Sequence, residues 1–262
     1  MLRFLRENKT VSYLCIIMNG TNKRLEEESI SLRRYSAQVR LPEIGEEGQK
    51  RLLSKSVLIV GCGALGSVAA AYLAGAGIGR IGLADFDTVD ESNLHRQVLY
   101  GSDECGQKKV ALLANHLERL NPAINVSAYD TFANEAFIRK VINEYDFIID
   151  AADNPQTTYM LDRVCRSTSK GYVTAGVSGW KAQVFTYLPG GVDFGALFPP
   201  PEEQEGVLPC SLTGIIGPLA GIAACIEASE AIKYLAGIEG GLGGKVLTID
   251  LLGNQFDLFS VE

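Results

Sequence analysis

The chain is 262 residues long, 47% hydrophobic and 21% charged, the balance of a globular protein with enough apolar surface for a large core. Its net charge of −7 leaves no electrostatic footprint for nucleic acid, and no basic stripe or zinc-finger spacing offsets it. The six cysteines form no C-x-x-C pair, which argues against a disulfide framework and a four-cysteine zinc site and makes a reducing cytoplasm the expected home. No apolar run reaches the ~18 residues of a membrane span, so no membrane partner is expected.

Residues 1–30 read as a peripheral N-terminal extension. Arg3, Arg6 and Lys9 precede the short apolar segment Val11–Met18, like the first two parts of a secretory signal, but no small-residue cleavage site follows. Asn19–Ser29 is polar instead, and Met18 is a candidate start. Residues 31–262 read as a single domain. Glu46–Leu53 is a short helix leading into the apolar run Val57–Val60, a strand. Gly66–Ala76 is a helix rich in Ala and Gly, and Ile81–Ala84 a second strand ending on Asp85. Asp85–Tyr100 is a loop too polar to be buried without a role.

Gly106–Leu120 follows as an amphipathic helix stopped by Asn121-Pro122, then a strand over Asn125–Tyr129 and a helix over Glu135–Glu144. Asp146–Asp150 is a further strand, running into Ala151-Ala152-Asp153-Asn154-Pro155. Alternation of strand and helix to this point implies a parallel sheet with right-handed crossovers. In the second half, Tyr172–Val177 and Gln183–Leu188 form a hairpin, and Pro189–Pro209 is a long loop. A helix opening at Gly217-Pro218 reaches about Ala236, with Pro in the first turn. Lys245–Asp250 and Gln255–Val261 close the chain as antiparallel strands. The expected fold class is therefore α/β: a Rossmann-like mixed sheet, parallel in its N-terminal half with helices on both faces, antiparallel in its C-terminal half.

Between the first strand and its helix lies Gly61-x-Gly63-x-x-Gly66, with Cys62, Ala64 and Leu65 between the glycines. Gly61 permits a tight turn, Gly63 lets backbone approach a phosphate, and Gly66 lets the helix pack on the sheet. The helix N-terminus offers free N–H groups to an anion. Asp85, an acid about 20 residues beyond the motif, is placed to hydrogen-bond a ribose. Asp85 and Asp153 stand at strand ends on the rim where such sheets bind ligands.

The loop after Asp85 adds Asp85-x-Asp87-x-Val89-x-x-Ser92-Asn93-Leu94-x-Arg96-Gln97, then Gly106-x-x-Lys109, then Asp153-Asn154. Singly, Arg96 and Lys109 read as solvated charges, Asp87 as a residue bonded to its own loop, and Asp153 as the end of a strand. Together and in this order they resemble the ThiF/MoeB/HesA family, bacterial relatives of ubiquitin-activating enzymes, from Arg34 to near the C-terminus.

That resemblance implies ATP-dependent adenylation of the C-terminal glycine carboxylate of a small ubiquitin-like sulfur-carrier protein ending in Gly-Gly. It implies that Gly61, Gly63, Ala64 and Gly66 form the nucleotide turn with Asp87 beside it. Asp85 would bind the ribose, Asn93 and Arg96 the phosphates, and Asn154 the pocket wall; Lys109 would neutralise charge at the transferred group, and Asp153 would hold Mg²⁺. It also implies a homodimer and, with a sulfur donor protein, a sulfur-handling cysteine at Cys210, which reads equally as an inert half-buried thiol.

Two departures from the pattern stand out. Asp193-Phe194-Gly195-Ala196 replaces the first C-x-x-C pair of zinc-bearing members, so no zinc is expected. Arg34-Tyr35-Ser36-Ala37-Gln38 carries alanine where the family places an arginine that reaches the partner's ATP. The zinc-free pattern inclines towards the thiamine-thiazole carrier ThiS, with the MoaD-like carrier of molybdopterin synthesis as the alternative. An NAD-dependent oxidoreductase, or a family member that serves as a non-catalytic scaffold, are the readings of another class.

Overall fold

Val57-Leu58-Ile59-Val60 contains no polar side chain, and in a strand successive residues point to opposite faces. Such a run is stable only where both faces are covered, and that decides the architecture. The computed structural model describes residues 33–198 and 214–261. Tyr35 onward forms one compact unit, and it contains every element named below.

The helices are α1 (Ser36–Val39), α2 (Gly45–Leu53), α3 (Gly66–Ala76), α4 (Lys109–Leu120), α5 (Glu135–Val141), α6 (Pro155–Ser167), α7 (Phe194–Leu197) and α8 (Gly217–Ala236). The strands are β1 (Ser56–Val60), β2 (Arg80–Asp85), β3 (Asn125–Asp130), β4 (Phe147–Asp150), β5 (Gly171–Ser178), β6 (Lys181–Tyr187), β7 (Lys245–Asp250) and β8 (Gln255–Ser260). They form one sheet in the order β3-β2-β1-β4-β5-β6-β7-β8. The pairs from β3 to β5 are parallel and those from β5 to β8 antiparallel. This is the mixed Rossmann-like sheet that the strand and helix alternation implied.

Two hydrophobic cores sandwich the parallel half. Val57 and Ile59 of β1 face Leu73, Leu113 and Leu219 on one side. Leu58 and Val60 face Ile138, Leu161 and Val164 on the other. The third helix, expected from Gly106, begins at Lys109 because Gly106 sits at φ +84°, outside helical space. Glu135–Glu144 ends its α-helix at Val141 and finishes as a 3₁₀ turn. The long loop from Pro189 includes the short helix α7.

Helix α6 was not anticipated, although its signal is present. Asn154 caps it, accepting hydrogen bonds from the Thr157 N–H at 2.9 Å and hydroxyl at 2.8 Å, and Pro155 opens the first turn. In the Arg34–Gln38 stretch, Tyr35 is buried and accepts a hydrogen bond from Asn121, while Gln38 donates to Gln49 and to the Ala76 carbonyl. Among the described residues β8 is the edge of the sheet, and its Phe256, Leu258 and Phe259 are exposed.

Candidate active site

Strands β1, β2 and β4 end level with one another: Val60 pairs with Ala84 on one side and with Asp150 on the other. Between β1 and β4 the order of the sheet reverses, because the chain goes out to β3 and returns to pair β4 against β1. Connections on the two sides leave a crevice at that reversal, where open α/β sheets take their ligands. A cavity of about 960 Å³ opens there.

Glycine is required in the turn for two separate reasons. Gly61 adopts φ +97°, and a Cβ there would lie 2.5 Å from the Ala151 carbonyl. At Gly66 a Cβ would fall 1.9 Å from the Gly61 carbonyl. Gly66 therefore serves packing, and it lies behind the cavity wall rather than on it. Gly63 differs, since a Cβ there would meet only Gln97 Nε2, at 3.5 Å. Its lack of a side chain leaves room on the cavity side, next to Gly61 and Ala64.

Asp85 braces this turn. Its two oxygens accept the Cys62 N–H at 2.6 Å and the Asp87 N–H at 2.8 Å, tying the glycine turn to the loop after β2. Each oxygen keeps a further lone pair for an incoming hydroxyl. Lys109 is buried at the start of α4, and its Nζ meets Asp87 Oδ2 at 3.1 Å. Arg96 reaches the cavity with one guanidinium nitrogen on the Ser92 carbonyl at 3.2 Å. Asp153 is exposed at the rim, and its carboxylate has no hydrogen bond or ion pair among the described residues.

Thus Gly61, Gly63, Ala64, Asp85, Asp87, Arg96, Lys109, Asp153 and Asn154 share one cavity wall. Asn93 is not among the residues lining it; among the described residues its side chain donates to the neighbouring Ser92 hydroxyl. Asn154 lines it while serving as the cap of α6. Cys210 lies outside the described residues, as do residues 1–30. Ala37 is exposed on α1 and away from the cavity. Cys62 packs inside the turn, where burial raises its thiol pKa well above normal and keeps it protonated.

Several members of the wall carried no separate weight in the sequence. Gln97 is buried beside Gly63, with Oε1 unpaired among the described residues. Asp150, at the end of β4, is buried behind the wall residues Thr158 and Thr174; burial lifts its pKa to about 6, while the Thr158 and Thr174 hydroxyls and the Ala152 N–H pull it down. Phe86 and Phe132 follow the ends of the adjacent strands β2 and β3, and Tyr159, Phe185, Phe194 and Phe198 also line the cavity. Sequence spacing could not have found the last four, which come from three different elements.

Residues 35–262 match the ThiF family along their whole length. The chain belongs to the ThiF family. Among its relatives is the bovine (Bos taurus) adenylyltransferase and sulfurtransferase MOCS3, 39% identical over 226 residues, covering 86% of this chain and 50% of the relative. The chain thus spans about half the length of that protein. The SAMP-activating enzyme E1 of Haloferax volcanii is 36% identical over 230 residues, covering 88% of this chain and 85% of that one. Among solved structures, E. coli MccB with succinimide superposes with a TM-score of 0.70 at 25% identity, over 82% of this chain and 65% of that one.

As a ThiF member the chain carries residues suited to ATP and Mg²⁺. Gly63 and the buried Lys109 line the same cavity, and the Asp153 carboxylate, unpaired among the described residues, stands at its rim. Mg²⁺ needs only one or two carboxylates besides phosphate oxygens. Among the described residues no cluster of three or more His, Cys, Asp or Glu gathers to hold a metal.

Proposed function

We propose that this ThiF member is an ATP-dependent adenylyltransferase that activates the C-terminal carboxylate of a small ubiquitin-like sulfur-carrier protein. The observation that carries this reading is the convergence of Lys109, Arg96 and Asp153 around the glycine turn in one cavity. A carboxylate oxygen attacks the α-phosphorus, the bond to the bridging oxygen breaks, and pyrophosphate leaves. An anion approaches a polyanion, so the acceleration comes from positioned cations and from hydrogen bonds preorganised towards the developing charge.

In this scheme Asp85 accepts a ribose hydroxyl. Gly63 and the N–H groups at the start of α3 receive phosphate, with Arg96 and Lys109 beside them. Asp153 would hold Mg²⁺, which would supply charge screening for the phosphate oxygens. Asn93, which does not line the cavity, would need to move to touch phosphate. An NAD-dependent oxidoreductase accounts for the glycine turn and Asp85 but leaves Arg96, Lys109 and Asp153 together unexplained, which weakens that reading.

The names of the relatives favour a carrier-activating enzyme without naming the carrier here. The thiazole-pathway carrier ThiS has no support beyond the missing zinc pair, and a MoaD-like carrier fits as well. Partners on this reading are a carrier ending in Gly-Gly, a sulfur donor and a second copy of the chain, with Cys210 acting in sulfur transfer after adenylation. ATP–pyrophosphate exchange, with and without such a carrier, tests the proposal. Carrier-stimulated exchange supports it, and exchange absent with every Gly-Gly carrier tried overturns it. Exchange should survive Cys210→Ala.

A further inference from the structure

The loop that carries Arg96 rests against the first residue of α8. Gly217 has no positive φ and stands in the first turn of the helix, so backbone conformation does not demand glycine there. Space does. A Cβ at Gly217 would lie 2.6 Å from the His95 carbonyl oxygen and 3.3 Å from the Arg96 Cα. Both are main-chain atoms, which cannot rotate aside as the end of a flexible side chain can, so the loop itself would have to shift.

Where the loop goes, the Arg96 head goes. Among the described residues its guanidinium hydrogen-bonds the Ser92 carbonyl at 3.2 Å and His95 Nε2 at 3.4 Å, both in its own loop. The Arg96 N–H donates to the Asn93 carbonyl at 3.1 Å, again within the loop. Tyr100 ties the loop down further on, its hydroxyl donating to the Cys62 carbonyl at 2.7 Å. Gly217 meets the loop at the arginine itself.

Gly217 is in turn held to the β5–β6 hairpin. The Ile216 N–H donates to the Gly179 carbonyl at 3.2 Å, and the Gly179 N–H to the Gly214 carbonyl at 2.7 Å. Gly179 lies between the two strands of that hairpin, and Gly214 and Ile215 line the cavity on the way to Gly217. We propose that Gly217 is a positioning residue for Arg96, a backstop tied through Ile216 to the β5–β6 turn that sets where the guanidinium stands in the cavity. This inference rests on the ATP reading above and adds to it what places one of the cations.

A double-mutant cycle on the full chain tests it, because a residue that acts through Arg96 loses its effect once Arg96 is gone. Calorimetry reads the binding of inorganic tripolyphosphate, which carries the phosphates of ATP without the nucleoside, and ATP–pyrophosphate exchange is read beside it. Gly217→Ala should weaken tripolyphosphate about tenfold, the scale of one charge-assisted hydrogen bond. It should lower exchange by ~10- to 100-fold, as misplaced catalytic groups do. In an Arg96→Ala background the same substitution should change tripolyphosphate affinity by less than about twofold. Ile216→Pro removes the N–H bonded to Gly179 and leaves residue 217 unchanged, at a φ of −86° that lies near proline's own. It should show a several-fold loss with the same dependence on Arg96, and it decides the matter where Gly217→Ala does not fold. Equal losses in the two backgrounds overturn the positioning role and leave the ATP reading intact, since the substitution would then act on the fold at large. Unchanged tripolyphosphate affinity in the folded variants overturns it as well. If the unaltered chain binds neither ATP nor tripolyphosphate, both readings fall.

Discussion

Lys109 Nζ and Asp87 Oδ2 stand 3.1 Å apart at the cavity wall, with the lysine side chain 5% exposed and the aspartate 49% exposed. The lysine is the member that depends on the pair. Asp87 is solvated and tolerates separation, whereas a buried ammonium without a counter-charge is costly. A triphosphate entering the cavity offers Lys109 a second counter-charge.

Substitutions at the two positions should therefore separate. Lys109→Met should leave the melting temperature within a few degrees of the parent and lower exchange by at least ~100-fold. Asp87→Asn should cost about 1–2 kcal/mol of stability, discounted for the exposed side of the pair, since it strands the lysine. Thermal unfolding and exchange assays on both variants check this. Equal melting temperatures would show that the lysine needs no partner.

The glycines make an opposite pair of expectations. Gly66→Ala should destabilise the fold by ~2 kcal/mol or more, because backbone at 1.9 Å must move to admit the Cβ. Gly63→Ala should leave the melting temperature unchanged and weaken ATP or tripolyphosphate binding, since its Cβ has only Gln97 in reach on the protein side. Chemical denaturation beside calorimetric binding distinguishes packing from contact.

Asp153 is exposed and unpaired among the described residues, so its removal has little to destabilise. Asp153→Asn should keep the fold and reduce Mg²⁺-dependent exchange by about 100-fold or more, the scale of losing a charge interaction at the reacting phosphate. A magnesium titration of exchange reads the effect. Unaltered magnesium dependence in this variant would remove Asp153 from the metal role.

Glu227 on α8 is fully buried, with neither carboxyl oxygen hydrogen-bonded among the described residues. Burial first, then the Asp150 carboxylate, raise its pKa well above 4.5, against the opposing pull of the Ala175 N–H. The unfolded chain therefore releases this proton at lower pH than the folded one. Stability from this group is intact below about pH 4.5 and falls as pH rises towards the folded pKa. Asp150, pushed up to about 6, adds a loss of the same sign between roughly pH 4 and 6. Glu227→Gln should accordingly raise the melting temperature more at pH 8 than at pH 5, and denaturation at both values would show it.

Local chemistry in the chain announced much of this. The run Val57–Val60, the glycine turn and Asp85 declared a strand, a βα turn and a ligand rim, because period, turn conformation and acid spacing are short-range properties. Asn154-Pro155 encodes the start of α6 just as locally, through its cap and first-turn proline, although an aspartate and asparagine after a strand end also carry the pattern of ligands. Gly106 looked like the opening of a helix until its positive φ placed it outside.

By itself the sequence determined the alternation of elements, the both-sides burial of the parallel strands and the order of motifs along one rim. Which side chains share a cavity was decided only by the tertiary structure. Arg96, Lys109 and Asp153 lie on three separate segments, and only the level ends of β1, β2 and β4 bring them together. The Phe86–Phe132 pair depends likewise on the register of β2 against β3, and the burial of Lys109 and Glu227 on how α4 and α8 pack. Register and helix packing are set by contacts distant in sequence, so no local spacing encodes them.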